Sequence, residues 1–347
     1  MWVDEPNTAA LIRSEANEPL DEPPELFLEL ARRGWGFFSP RPVFVDKLRT
    51  FNAFREKRIW KETPYVSLAV LQLTNECVRS CSTCTTAFCP VCTVLPGSRA
   101  LLATDEWLAV LDEVALFGGQ QVLLTGGEAL LHPGVARIAA AATARGLRVQ
   151  IHTSGLLPPT PDLRDVAFSI LVRERGEIPG IVERFGERAH VSLLLEGMEP
   201  GSVNGAVPGH WVAVRVSAEP PSIAKHNLMV TPFDRFFARR TTDNCLNGKV
   251  YVGCDGTILP CFGHRGASVG DVRGEGGFAA AVRVLVDDYW NVPVDRVDVN
   301  RPCARCEFRY CCNACRYVDP ASQCGYDVDS SVWEVSPDHS LPANGEH

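Results

Sequence analysis

The chain has 347 residues, enough for one large domain or for a barrel with a small companion domain. Its 46% hydrophobic and 22% charged content is that of a globular protein, and no apolar run approaches the roughly 20 residues that span a bilayer. A net charge of −8 gives a nucleic-acid partner no electrostatic support, so neither nucleic-acid binding nor membrane insertion is expected.

The acidic start "MWVDEPNTAALIRSE" has no basic region leading into an apolar segment, so a cytoplasmic location is expected. Residues 1–24 are polar and read as surface chain. The first 30 residues carry eight acidic groups and one Arg, whereas residues 31–62 carry nine basic and three acidic groups. A solvated tail followed by a basic helical face accounts for that imbalance. "PELFLELARRGWGFF" and "VFVDKLRTFNAFREKRIW" have helix-like apolar spacing, which makes residues 1–65 a partly helical N-terminal extension.

From residue 66 the texture becomes alternating strand and helix. Strands are predicted over 66–74, 121–125, 147–154, 166–172, 190–197 and 211–217. A helix begins with Thr104 as its N-cap and stops at Gly118-Gly119. An Ala-rich helix has Pro133 in its first turn and Gly146 past its end, and a shorter one spans "IPGIVERFGERA". This alternation predicts an α/β fold, a parallel sheet in an open or incomplete-barrel arrangement over 66–217. A linker over 218–244, a Cys- and Gly-rich domain over 245–324 and a tail over 325–347 complete the expected organisation.

Five of the fourteen cysteines fall within sixteen residues, in "CVRSCSTCTTAFCPVC" directly after the first strand. A reducing compartment disfavours disulfides, so metal ligation is the better reading. Cys77, Cys81 and Cys84 follow C-x3-C-x2-C, in the loop at a strand's C-terminal end where such sheets place chemistry. Three thiolates from one loop can hold three irons of a cubane cluster and leave the fourth open. Zinc is the alternative, since Cys89 and Cys92 form an adjoining C-x2-C that would complete a four-thiolate site. After the second strand come Thr125-Gly126-Gly127-Glu128. Two glycines allow close backbone approach, and a carboxylate beyond them accepts hydrogen bonds from an ammonium group.

A C-x3-C-x2-C loop one strand–helix unit before Gly-Gly-Glu resembles the radical S-adenosylmethionine (radical SAM) superfamily. The resemblance covers residues 66–217 and implies a partial (β/α)6 barrel. It implies a [4Fe–4S] cluster on Cys77, Cys81 and Cys84, with SAM chelating the open iron. Gly126, Gly127 and Glu128 would line the SAM site, with Thr153 and Ser154 of "HTSG" as further candidates and Glu196 a weaker one. Thr83 stands where the family usually has an aromatic or apolar residue near the adenine, which sets that packing outside the usual pattern.

The C-terminal cysteines resemble the SPASM extension, which carries auxiliary iron–sulfur clusters. Cys245 is followed after ten residues by Gly256 and after four more by Cys261; then come Cys303, Cys306, Cys311, Cys312, Cys315 and Cys324. The family pattern implies Cys245, Cys261 and Cys315 for one cluster and Cys303, Cys306, Cys312 and Cys324 for the other. Cys254 is assigned as a fourth ligand of the first. Cys311 competes with Cys312, because only Cys311 gives the usual three-residue gap to Cys315, at the cost of the preceding one. A zinc-ribbon arrangement is the alternative.

The resemblance implies cleavage of SAM to a 5′-deoxyadenosyl radical and oxidative modification of a ribosomally made peptide. The rival is a small molecule of sugar or aminoglycoside type; a non-catalytic iron–sulfur or zinc-stabilised protein is the distant alternative. Phe262 disfavours sulfatase maturation, which uses Asp after the cysteine matching Cys261. Expected partners are an electron donor such as flavodoxin or ferredoxin, and a separate peptide-recognition protein, since residues 1–65 are short for a fused one.

Overall fold

The structure, a computed structural model, describes residues 25, 27–28, 66–79, 100–186, 188–216, 242–243, 245–261, 267–292, 302–306, 308–312, 324, 326–330 and 332–333. Two units partition the chain, residues 1–59 and 60–347. Of the first, only Glu25, Phe27 and Leu28 are described, and they are helical. The rest of the two helices expected there lies outside the described residues.

In the second unit, six strands run parallel in simple chain order: β1 Leu68–Thr74, β2 Gln121–Gly126, β3 Arg148–Thr153, β4 Ala167–Val172, β5 Val191–Glu196 and β6 Val212–Val216. Every predicted strand is present, shorter by at most a residue or two at either end except at β2, which gains Gly126. The connections carry α1 Thr104–Leu116, α2 Val135–Ala144 and α3 Ile178–Phe185. Only 3-10 turns, Pro161–Leu163 and Pro200–Val203, stand between β3 and β4 and between β5 and β6. This is the expected incomplete α/β barrel.

Period-two alternation sorts each strand's side chains between two faces. Ala69, Leu71 and Leu73 of β1 join the main core beneath the helices, with Trp107 and Leu111 of α1. Val70 points the other way, to a small apolar cluster with Tyr251 and Leu259. Burying each large side chain contributes about 1.5–3 kcal/mol, so this helix-covered face is the main source of stability.

Two helix starts differ from the expectation. The N-cap of α1 is Ala103, and its backbone N–H donates to Glu106 Oε2 at 2.8 Å. Reciprocal capping by Thr104 is therefore unnecessary. Gly134 caps α2, so Pro133 precedes that helix, while Gly146 lies beyond its end with φ +78° as predicted.

The sheet continues past β6 in sequence but on its opposite edge. β7 Lys249–Val252 pairs in parallel with the outer edge of β1, and β8 Thr257–Leu259 and β9 Gly270–Asp271 follow antiparallel. Helix α4, Gly277–Val284, runs into a π-helical turn, Leu285–Trp290. Phe278 of α4 meets Phe117 at the end of α1, ring centroids 6.0 Å apart. Trp290 is buried and donates from Nε1 to Lys249 O at 2.9 Å. The described residues between 245 and 292 are therefore held by apolar packing and sheet hydrogen bonds. No helix among the described residues is long and apolar enough to cross a membrane.

Arg273, after β9, closes a second tie to the first helix. It donates from Nε to Glu106 Oε1 at 2.6 Å and from Nη2 to Oε2 at 2.9 Å, and also to the carbonyls of Ala100 and Leu101. The Arg273 hydrogen bond, aided by the Ala103 N–H, pushes the Glu106 carboxyl down to about 2. A depressed carboxyl pKa stabilises the fold above its unfolded value, and the benefit disappears as pH falls through the folded value. The stability difference between wild type and Glu106→Gln should therefore be constant near neutrality and shrink from about pH 4.5 towards pH 2. Thermal midpoints of both proteins across that range measure it, and a pH-independent difference would refute the pairing.

Candidate functional site

The C-terminal ends of β1 and β2 do not splay apart. Beyond a register shift after Gln72, Gly127 N–H donates to Thr74 O at 3.0 Å and Glu128 N–H to Glu76 O at 2.7 Å. This pairing excludes side chains. A Cβ on Gly126 would lie 2.3 Å from Thr74 O, and one on Gly127 would lie 2.1 Å from Glu76 O. Gly126 also has φ +140°, a conformation L residues rarely adopt. The sequence pattern assigns these glycines to a ligand's approach; in the fold they admit the segment that carries the first cysteine. The Cys77 thiol lies 3.4 Å from Gly127 O, and Arg79 N–H donates to its sulfur at 3.4 Å.

Glu128 is fully buried at the start of the turn Ala129–Leu131. Its Oε2 accepts from Ser154 N–H at 2.9 Å and from Ser154 Oγ at 2.5 Å, and its Oε1 accepts from Leu130 N–H at 3.2 Å. A carboxylate offers about four lone-pair positions. Three internal bonds leave room for one further donor, which fits an ammonium group. Ser154, a candidate from "HTSG", is thus hydrogen-bonded to Glu128. Thr153 does not: its Oγ1 accepts from Gly155 N–H at 3.0 Å and closes a local turn. Glu196 ends β5 in an ion pair with Arg173 Nε at 2.7 Å.

Arg79 belongs to none of the sequence motifs, yet it reaches the same strand ends. Its guanidinium donates to Glu177 Oε1 at 2.6 Å, to Ser154 O at 3.1 Å and to Leu171 O at 3.4 Å. Burial would raise the Glu177 carboxyl, but Arg79 and the Arg173 N–H outweigh it and hold it below the usual carboxylate range.

No family profile matches the chain. A stretch of 134 residues, 38% of the chain, is 31% identical to the PqqA peptide cyclase of Bradyrhizobium diazoefficiens and covers 34% of it. A stretch of 153 residues, 43% of the chain, is 36% identical to the PqqA peptide cyclase of Rhodopseudomonas palustris and covers 35% of it. The matched stretches thus span about a third of these relatives' length. Among solved structures, Streptococcus suis SuiB bound to S-adenosylmethionine has the same fold, with TM-score 0.51 at 14% identity, over 84% of this chain and 83% of that one. Over these stretches the chain is similar to PqqA peptide cyclases, and it shares its fold with SuiB.

Of the three cysteines expected as cluster ligands, Cys77 is placed beside Gly127, whereas Cys81 and Cys84 lie outside the described residues, as do Cys89, Cys92 and Cys315. The hairpin of β7 and β8 explains the Cys245–Gly256–Cys261 spacing. Gly256, φ +92°, lies in the turn, and the antiparallel arms carry Cys245 and Cys261 to the other end.

Cys254 lies just past β7 at the turn end. Pairing of Leu259 with Tyr251 sets Cys261 level with Lys249, five residues from Cys254 and so about 16 Å away. Burial, with Asp255 adding to it, also pushes the Cys254 thiol up to about 11. Its carbonyl accepts from Leu102 N–H at 2.7 Å.

Cys303 lies in the short helix Pro302–Arg305, and Cys311 and Cys312 both donate from their N–H groups to Phe308 O, so neither is favoured. Among the described residues no three His, Cys, Asp or Glu side chains converge as a metal-ligand set.

On the face of the sheet away from the helices, Gln72, Thr125, His152 and Ser169 form a row across four strands. His152 Nδ1 is 3.1 Å from Ser169 Oγ, and complete burial pushes its imidazole down to about 4, so it is neutral at pH 7. Both amide atoms of Gln72 and the hydroxyl of Thr125 are buried without a hydrogen-bond partner.

Ser154→Ala removes the hydroxyl that donates to a buried carboxylate and should cost about 1.5–3 kcal/mol. Thr153→Val removes a neutral local bond and should cost about 0.5–1.5 kcal/mol. Urea unfolding midpoints compare them, and a larger loss in Thr153→Val would contradict the site geometry.

Proposed function

We propose that the chain is a radical SAM enzyme that oxidatively modifies a ribosomally made peptide. The observation that carries this reading is the joint placement of Cys77, Gly126-Gly127 and a Ser154-held Glu128 at adjoining strand ends. Cys77, Cys81 and Cys84 would hold a [4Fe–4S] cluster, and Glu128 would accept the SAM ammonium at its remaining lone-pair position. When bound, this pair supplies a 5′-deoxyadenosyl radical for hydrogen-atom abstraction. The chain's own task is to orient the substrate carbon and to exclude water.

The peptide substrate is supported by the names of the matched relatives, peptide cyclases and, from Bacillus subtilis, a sporulation killing factor maturation protein. The polar row Gln72, Thr125, His152 and Ser169 gives a second support. It offers neutral donors and acceptors, which suit peptide amides. An aminoglycoside-type substrate is polycationic and calls for free carboxylates, whereas the Glu196 carboxylate at the end of β5 is paired with Arg173.

Auxiliary clusters belong to the same proposal. Cys245 and Cys261, with Cys315, would hold one; Cys303, Cys306, Cys324 and one of Cys311 and Cys312 would hold the other. A reducing cytoplasm and a flavodoxin or ferredoxin donor suit that chemistry, and a separate peptide-recognition protein is part of the same proposal.

The test is anaerobic reconstitution with iron and sulfide, addition of reductant and SAM, and measurement of 5′-deoxyadenosine. Replacing Cys77, Cys81 and Cys84 together by Ala should abolish it, and persistence would refute the assignment. Glu128→Gln should lower SAM affinity by about one to two orders of magnitude with iron content unchanged, the loss of a charge-assisted hydrogen bond. Unchanged affinity would remove Glu128 from the SAM site.

A further inference from the structure

Arg79 stands two residues after Cys77, yet its side chain does not follow the cysteine loop outward. It turns across the strand ends, where it is 12% exposed and its partner Glu177 is 17% exposed. Its three acceptors belong to different elements: Ser154 follows β3, Leu171 is in β4, and Glu177 immediately precedes α3. Glu177 is itself fixed, since its Oε2 accepts from Arg173 N–H at 3.0 Å.

Ser154 is the shared member. Its carbonyl accepts from Arg79, while its N–H and hydroxyl donate to Glu128. A guanidinium suits this task because it stays charged and spreads several donors in one plane.

We propose that Arg79 and Glu177 form a clasp that positions the Cys77 segment and Glu128 as one unit, so that cysteine loop and SAM site are assembled together. Arg79 is a positioning residue, acting through Ser154. The inference rests on the proposed radical SAM function for its SAM-binding arm, while its geometric arm is independent of that function. It also explains an otherwise costly choice, a largely buried ion pair. Such a pair gives little net stability against apolar replacements, and removing one partner leaves an uncompensated charge.

The test uses the full chain with Arg79→Met, Glu177→Gln and the double variant. In the metal-free protein, the alkylation rate of Cys77 by iodoacetamide is followed by peptide mass spectrometry, with buried Cys254 as internal control. The clasp predicts Cys77 labelling several-fold faster in either single variant, with Cys254 unchanged.

In the protein reconstituted anaerobically with iron and sulfide, SAM affinity is read by equilibrium dialysis. The change SAM makes in the EPR spectrum of the reduced protein is read beside it. Each single variant should bind SAM about tenfold more weakly, roughly the effect of one charge-assisted hydrogen bond. The double variant should be no weaker than the worse single, because both remove the same clasp.

Unchanged Cys77 labelling, or additive losses of SAM affinity, overturn the inference. A loss of thermal stability with unaltered SAM affinity and EPR response also overturns it, since that marks a merely structural ion pair. If Arg79→Met fails to fold, Glu177→Gln, which preserves shape, decides by the same measurements. A wild type that binds no SAM refutes the proposed function and leaves Cys77 labelling to decide the clasp.

Discussion

The site depends on a backbone-to-backbone contact. Thr74 and Glu76 carbonyls accept from Gly127 and Glu128 N–H groups, and the two chains run so close that neither Gly126 nor Gly127 has volume for a Cβ. The contact fixes where β1 hands over to the cysteine-bearing segment and where Glu128 leaves β2. Glu128 is then directed to Ser154 at the end of β3, so three successive strand ends are linked by hydrogen bonds around one buried carboxylate. Side-chain chemistry can vary around such a frame. The two glycines cannot, because the cost of any side chain there is a collision with main chain.

The barrel is legible in the sequence because its burial pattern is repetitive. Short apolar runs in "LAVLQLT" and "VSLLLE" place strands without reference to neighbours, and Thr-Gly-Gly-Glu announces a chain turn at a strand end. Pairings between distant segments are less legible. Nothing in "KVYV" or "TIL" indicates that they add to the outer edge of β1, because four- and three-residue strands have too short a period to read. Cys254 shows the same limit: a count of intervening residues does not reveal which end of a hairpin a cysteine occupies. Arg79 and Glu177 are 98 residues apart, and each alone is an ordinary charged residue. The only local hint is a carboxylate just before a helix, a position favoured by the helix dipole whatever its partner.

Cysteines fall into two regions of the sheet. Cys77 follows the C-terminal end of β1, whereas Cys261 lies level with the start of β7, which pairs with the start of β1. The seven residues of β1 span about 20 Å. Along that length the face away from the helices changes from apolar, at Val70, Tyr251 and Leu259, to uncharged polar, at Gln72, Thr125 and His152. The sheet therefore carries a gradient of polarity between its two cysteine-bearing ends.

The pairing of β7 on the outer edge of β1 has a topological consequence. Ring closure of six parallel strands requires the sixth to bond to the first. Here the first is hydrogen-bonded on both sides, so among the described residues β6 keeps one neighbour, with Val212 and Val214 exposed. Among the described residues, the arc is therefore held in its unclosed form by its own later sequence.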